Sequence, residues 1–261
     1  MRNSLKMLIP AFLAQAFCGC GIGAVLTHYV RPPLLRGDQA YQPRPISQDS
    51  LHHTANYVSG FIGSREESLT GEITSFGGLN YSRGHVMKHL NISYGGSAFF
   101  GNFYTNKIDQ ANPNYFKRKT FSAFQAASGI NTFVSSRYTD FRLIGLNVSY
   151  TKESGDFAAL RKQVLTAGDF YTIPGTSIFS AALSTEVAQR SRKSGNQQYA
   201  IRLGIATSFK KYPYQGTAAA PADRFFERSA TMFGSAYVQW NKIYFVLQQS
   251  GVSRIDAGFR F

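Results

Sequence analysis

Charge is the scarcest commodity in this chain of 261 residues. Asp, Glu, Lys and Arg together make up 16% of it, where a soluble domain usually carries about 25%. Cysteine is nearly missing: Cys18 and Cys20 are the two present, and two residues apart is too close for an unstrained disulfide. The mature fold is therefore expected to use none. Apolar runs long enough for a membrane helix are missing beyond residue 29, which excludes a helical multi-span protein. The usual marks of chemistry are missing too. There is no Gly-x-Ser-x-Gly, no phosphate-binding glycine loop and no cysteine cluster. His85 and His89 lie four apart, about 13 Å along a strand, too far to share an ion, so no metal and no cofactor is expected.

What the chain has instead is phenylalanine, tyrosine and glycine, at 22, 15 and 24 residues. The last residues show how they are used. Ile255, Ala257, Phe259 and Phe261 fall on one face of a strand, and Arg254, Asp256, Gly258 and Arg260 fall on the other. A strand apolar on one side, charged on the other and closed by a terminal aromatic looks like the final strand of a bacterial outer-membrane β-barrel, whose outer face meets lipid. Phe259 and Phe261 are then expected to serve as the signal read by the barrel-assembly machinery. The mean hydropathy of −0.20 fits, because a barrel alternates polar with apolar residues and builds no long apolar run.

The start of the chain reads as an export signal. Arg2 and Lys6 precede an apolar stretch from Met7 to Phe17, and Cys18-Gly19-Cys20-Gly21 follows. Gly19 before Cys20 resembles a lipoprotein processing site, which makes Cys20 the expected acylated residue and residues 1–20 the signal. An uncleaved membrane anchor is the competing interpretation, since Met7 to Tyr29 carries no charge. Residues 21–53, with Arg31-Pro32-Pro33 and Gln42-Pro43-Arg44-Pro45, are expected to be an extended tether with no fold of its own, because proline removes a backbone donor and favours extended or turn geometry.

Residues 54–261 are expected to form the barrel. Ten strands are predicted, at about 55–64, 70–81, 88–104, 118–134, 139–151, 177–189, 198–210, 229–240, 242–249 and 252–261. Period-2 alternation, the strand signature, is clean in several. Ile144, Leu146, Val148 and Tyr150 oppose Gly145, Asn147, Ser149 and Thr151, and Tyr199, Ile201, Leu203 and Ile205 oppose Ala200, Arg202, Gly204 and Ala206. The first, fourth and eighth alternate poorly, leaving a count of eight to ten. Connector length sorts by parity: connections at about 105–117, 152–176 and 211–228 are long, and those at 82–87, 135–138, 190–197 and Asn241 are short. Long outer loops and short periplasmic turns are the membrane-barrel habit, whereas a soluble sandwich has no reason to sort loops this way. The fold class is thus all-β: an antiparallel up-and-down transmembrane barrel with an N-terminal signal and tether.

The same alternation points Glu186, Arg202, Arg254, Asp256 and Arg260 inward. In a barrel of this size the interior is filled by side chains, and buried charges there must pair. A salt-bridge plug is the expected role, with a narrow channel or ligand-binding barrel using the inward arginines as the alternative. A lipid-tethered soluble periplasmic β-protein is a further one. Catalysis is not expected. The exception to weigh is a lipid-modifying outer-membrane enzyme, which needs a Ser/His pair near the outer rim, and the histidines here fall in the tether and at a predicted periplasmic turn. The formal charge of +14 favours polyanions. For an exported barrel that means outer-membrane lipid and lipopolysaccharide phosphate, not nucleic acid.

The layout resembles small outer-membrane β-barrel lipoproteins of the Bacteroidetes type. The likeness rests on the leader ending Phe17-Cys18-Gly19-Cys20-Gly21, the tether Tyr29-Val30-Arg31-Pro32-Pro33-Leu34-Leu35, and two strand segments, residues 91–101 and 145–153. It implies a location in the bacterial outer membrane and a barrel shape, and it carries over no functional residues.

Overall fold

In a computed structural model the described residues are 29–30, 40–46, 53–67, 72–105, 117–167, 171–172, 175–192, 196–208 and 231–261. The expected leader, including Cys20, lies outside them, as do parts of the expected tether. Among the described residues ten long strands run β1 (Thr54–Glu67), β2 (Glu72–Val86), β3 (Leu90–Tyr104), β4 (Arg118–Ser136), β5 (Thr139–Ser154), β6 (Ser177–Arg190), β7 (Gln197–Ser208), β8 (Thr231–Trp240), β9 (Ile243–Gln249) and β10 (Ser253–Arg260). Each pairs antiparallel with the next, and β10 pairs with β1, so the sheet closes. The closing seam runs from Ser253↔Ser64 to Arg260↔Tyr57. It is extended by Phe261, whose N–H donates to the Asn56 carbonyl at 3.0 Å while its own carbonyl accepts from Asn56 N–H at 2.9 Å.

Closure and alternation together turn the molecule inside out. Large apolar side chains line the exterior of every strand; among them are Ile62, Leu79, Phe100, Ile130, Leu146, Leu183, Leu203, Val238, Phe245 and Ile255. A soluble monomer rarely exposes an apolar patch beyond a few hundred Å², so a belt that runs round the whole barrel is a surface for hydrocarbon. Aromatics fringe it. Tyr81, Tyr94, Tyr199, Trp240 and Phe259 are exposed toward the end where β1 begins and β10 finishes, and Phe100, Phe124, Tyr150 and Phe179 toward the other. Aromatic girdles at both interfaces are what a membrane barrel carries. This exterior is the opposite of a tethered soluble sheet. No described helix is long and apolar enough to cross a membrane, which does not bear on strands.

The end holding the starts of the odd strands is called here the terminal end, and the opposite one the loop end. Terminal-end connections are short: residues 87–89, 137–138, 191–196 and the turn at Asn241, whose φ of 54° is one that asparagine tolerates. The connections at 105–117, 155–176 and 209–230 all leave from the loop end. The second of these contains the helix α1 (Asp156–Ala167), entered through Gly155 at φ +106°, a backbone that other residues rarely adopt.

One β-bulge marks β5, and it shows against both neighbours: Thr132 and Phe133 of β4 pair with Ile144 and Arg142, and Arg142 and Gly145 pair with Glu186 and Ser184 of β6. It leaves Leu143 and Ile144 both exposed while Arg142 and Gly145 face inward. An uninterrupted count back from Ile144 and Leu146 would have put Arg142 in lipid. The extra residue reverses the parity and brings the guanidinium inside, a re-aiming that bulges commonly perform.

One part of the tether departs from expectation. Ala40–Ile46 is not a segment without a place in the fold. All seven of its residues are buried, because it lies inside the barrel and is bonded to its walls.

Candidate functional site

The lumen is filled in two different ways along its length. The half toward the loop end is aromatic: Phe61, Phe76, Phe99, Phe103 and Phe121 form one cluster with Phe157 and Leu160 of α1. Phe61 and Phe99 meet edge to face at 5.0 Å, and Phe103 stacks on Phe157 at 4.2 Å, so the helix packs its apolar side against this aromatic cluster. It is held by Arg161, whose Nη1 and Nη2 donate to the two carboxylate oxygens of Glu153 at 2.6 and 2.8 Å. Nη2 donates also to the Gly175 carbonyl at 3.2 Å. A bidentate pair of this kind fixes orientation as well as adding energy.

The half toward the terminal end is ionic and is built around the buried segment 40–46. Glu186 Oε1 accepts from the Tyr41 hydroxyl at 3.0 Å and from Arg142 Nη1, and Oε2 lies 3.6 Å from Arg44 Nη1. Arg44 spans the lumen: Nε donates to Ser93 Oγ at 3.0 Å and Nη2 to Asn147 Oδ1 at 3.1 Å. With its amide oriented by its partners, Asn131 accepts from Arg44 Nη1 and Nη2 at 2.6 and 3.1 Å. Arg142 Nη2 closes the circuit on the Pro45 carbonyl at 3.0 Å. The segment's backbone is anchored too, Ala40 N–H on Gln125 Oε1 at 3.1 Å and Tyr41 N–H on Gln248 Oε1 at 3.0 Å. Proline at 43 and 45 suits this setting, since neither brings a backbone donor that the lumen would have to satisfy. The wall makes room for it: a Cβ on Gly84 would lie 3.1 Å from Pro45 Cδ and 3.3 Å from Arg44 Cα, so β2 is glycine where the segment presses closest.

The five inward charges expected from alternation are all buried, but the structure does not gather them into one cluster. Glu186 and Arg202 are cross-strand partners. Arg202 stacks over Tyr41 at 4.8 Å and over Phe233 at 5.0 Å. Arg254 and Asp256 sit in the aromatic half and pair with each other, at 2.6 Å through Nε and 2.7 Å through Nη2, with the guanidinium 3.6 Å from the Phe61 ring centroid. Arg260 lies at the terminal end next to the seam, its backbone N–H on the Lys242 carbonyl at 2.7 Å. Phe259 and Phe261 point outward, 59% and 65% exposed. Tyr41, Arg44 and Arg142 are the members of the ionic cluster that sequence reasoning missed. Among the described residues no group of three or more His, Cys, Asp or Glu is placed to hold a metal.

No family model matches the sequence, and no curated protein matches it. Solved structures resemble it more loosely. The chain is similar to the COG4313 outer membrane channel from Pseudomonas putida F1 at 10% identity and a TM-score of 0.42, over 87% of this chain and 100% of that one. It is similar to Ail, the attachment invasion locus protein of Yersinia pestis, at 10% identity and a TM-score of 0.28, over 80% and 99%. The translocator domain of autotransporter NalP from Neisseria meningitidis gives 7% identity and a TM-score of 0.32, over 82% and 90%. Scores this low leave the barrel's own geometry as the guide to its function.

Proposed function

We propose that the protein is a bacterial outer-membrane β-barrel with its loop end outside, whose lumen is shut and whose work is structural or interactive at the outer surface, without catalysis. One observation carries this: the segment Ala40–Ile46 occupies the lumen, with side chains of β3, β4, β5, β6 and β9 bonded to it. The belt, the girdles and the sorting of loop length support the placement in the outer membrane. The inward arginines support a plug better than an anion path, because Arg44, Arg142, Arg202 and Arg254 already have carboxylates, amides or rings as partners. Outside, Lys117, Arg118 and Lys152 are exposed near the loop end, where lipopolysaccharide phosphates would meet them.

Planar bilayers test the reading. Purified protein is expected to insert without a steady current above the bare membrane. Sustained, ion-selective conductance would overturn the closed lumen in favour of a channel.

The terminal aromatic gives another expectation. Deleting Phe261 removes both backbone bonds to Asn56 at the seam, together with the proposed signal for the assembly machinery. The fraction of membrane protein that changes gel mobility on boiling should fall. An unchanged heat-modifiable fraction and unchanged level would remove Phe261 from that role.

A further inference from the structure

The buried segment has a direction, and the direction is unexpected for a chain whose first long strand begins at the terminal end. Ala40 and Tyr41 are bonded to Gln125 and Gln248. Gln248 is the last residue but one of β9, at the loop end, and Gln125 lies nearer the loop end of β4 than its terminal end. Three to five residues later the contacts have moved down the barrel. Arg44 reaches Ser93, early in β3, Pro45 reaches Arg142, early in β5, and Ile46 packs with Ala55 and Tyr57 at the start of β1. The chain thus runs from the loop end toward the terminal end as it approaches β1.

A second contact lies further back along the chain. Tyr29 and Val30 pair in parallel with Tyr171 and Thr172. Those residues belong to the connection between Ser154 of β5 and Ser177 of β6, which is at the loop end and is tied there by Arg161 to Gly175. Two independent points, one at residues 29–30 and one at 40–41, therefore place the chain on the loop side before it enters the lumen.

We infer that the polypeptide threads its own barrel, so that Tyr29–Val30 is presented on the loop side of the membrane, at the cell surface. The chain's surface display rests on the orientation proposed above; the threading itself does not. It also constrains an acyl chain on Cys20. Eight residues lie between Cys20 and Tyr29, so the nine steps span at most about 32 Å fully extended. A return to the opposite leaflet would have to cross a hydrocarbon core of about 30 Å plus headgroups, leaving backbone groups unpaired in lipid. A lipid on Cys20 belongs in the outer leaflet, anchoring the protein from outside.

Epitope insertions in the full chain test this, between Gly23 and Ala24, between Gly216 and Thr217 in the third long loop, and between Ser194 and Gly195 in a terminal-end turn. Each is probed by antibody on intact and on permeabilised cells, with heat-modifiable mobility as the check on folding. The N-terminal tag is expected to be labelled on intact cells as strongly as the loop tag, and the turn tag after permeabilisation alone. A labelled loop tag with an N-terminal tag that needs permeabilisation overturns threading. A loop tag that needs permeabilisation, with the N-terminal tag following it, overturns the orientation and keeps the threading. Should processing or misfolding remove the N-terminal tag, oxidation of a Tyr29→Cys/Tyr171→Cys pair decides instead. A reductant-sensitive mobility shift supports the placement, and no cross-link overturns it.

Discussion

Replacing Glu186 by glutamine is expected to cost the folded barrel about 3–5 kcal/mol, the penalty for removing one partner from a buried ionic group. The change keeps the size of the side chain and an acceptor for Tyr41. What it removes is the one negative charge shared by Arg44 and Arg142, with Arg202 beside it as cross-strand partner. Three guanidiniums would then stand in a closed lumen without the carboxylate they face, leaving Asp140 near Arg142 as the acid beside them, and each would face the desolvation that Glu186 offsets. The measurement is the urea midpoint and slope of the reconstituted barrel, wild type against variant. A Glu186→Leu/Arg142→Met double variant should cost less than the single change, because it removes charge of both signs. A single variant as stable as the wild type would show that the cluster is not desolvated, and the plug would lose its physical basis.

The second large effect belongs to the opposite surface. Leu203, in the middle of β7, points outward. Leu203→Arg should destabilise the folded protein in vesicles by about 2–4 kcal/mol, as arginine at the bilayer midplane does in barrels. Ile243 also points outward but opens β9 at the terminal rim, so Ile243→Arg should cost about 0–1 kcal/mol. The contrast between the two is the prediction. Equal, small costs at both depths would mean that the belt does not face lipid, since an aqueous exterior would tolerate either arginine alike.

How far the sequence shows this protein depends on whether the information is local. The ten strands are legible because alternation is a property of neighbours. The predicted span 139–151 is observed as Thr139–Ser154, and 177–189 as Ser177–Arg190. The strands that alternate poorly have a physical cause. A polar-inside expectation fails where the lumen is itself apolar, and Phe61 on β1, Phe121 on β4 and Phe233 on β8 all face inward. Arg142 was hidden by a bulge, though the cost of an arginine in lipid is the signal that parity must break between it and Ile144. The segment Ala40–Ile46 was hidden more thoroughly. Its acceptors come from strands up to 207 residues away, and no pattern within seven residues encodes them. The nearest hint was the shortage of inward acid beside inward arginine.

The threaded segment also sets an order of events during assembly. Tyr41 is bonded through its backbone to Gln248, and the seam that closes the ring joins the first long strand to the last. The partners of the segment therefore do not all exist until synthesis is nearly complete. Once β10 has met β1, a chain lying outside the ring can enter only end first, drawn lengthwise past an aromatic layer. The sheet must accordingly wrap round the segment, as a noose is drawn round a cord already in place. Contacts of such long sequence separation make folding slow. The same closure makes the product hard to undo, because the cord leaves only when the noose is opened.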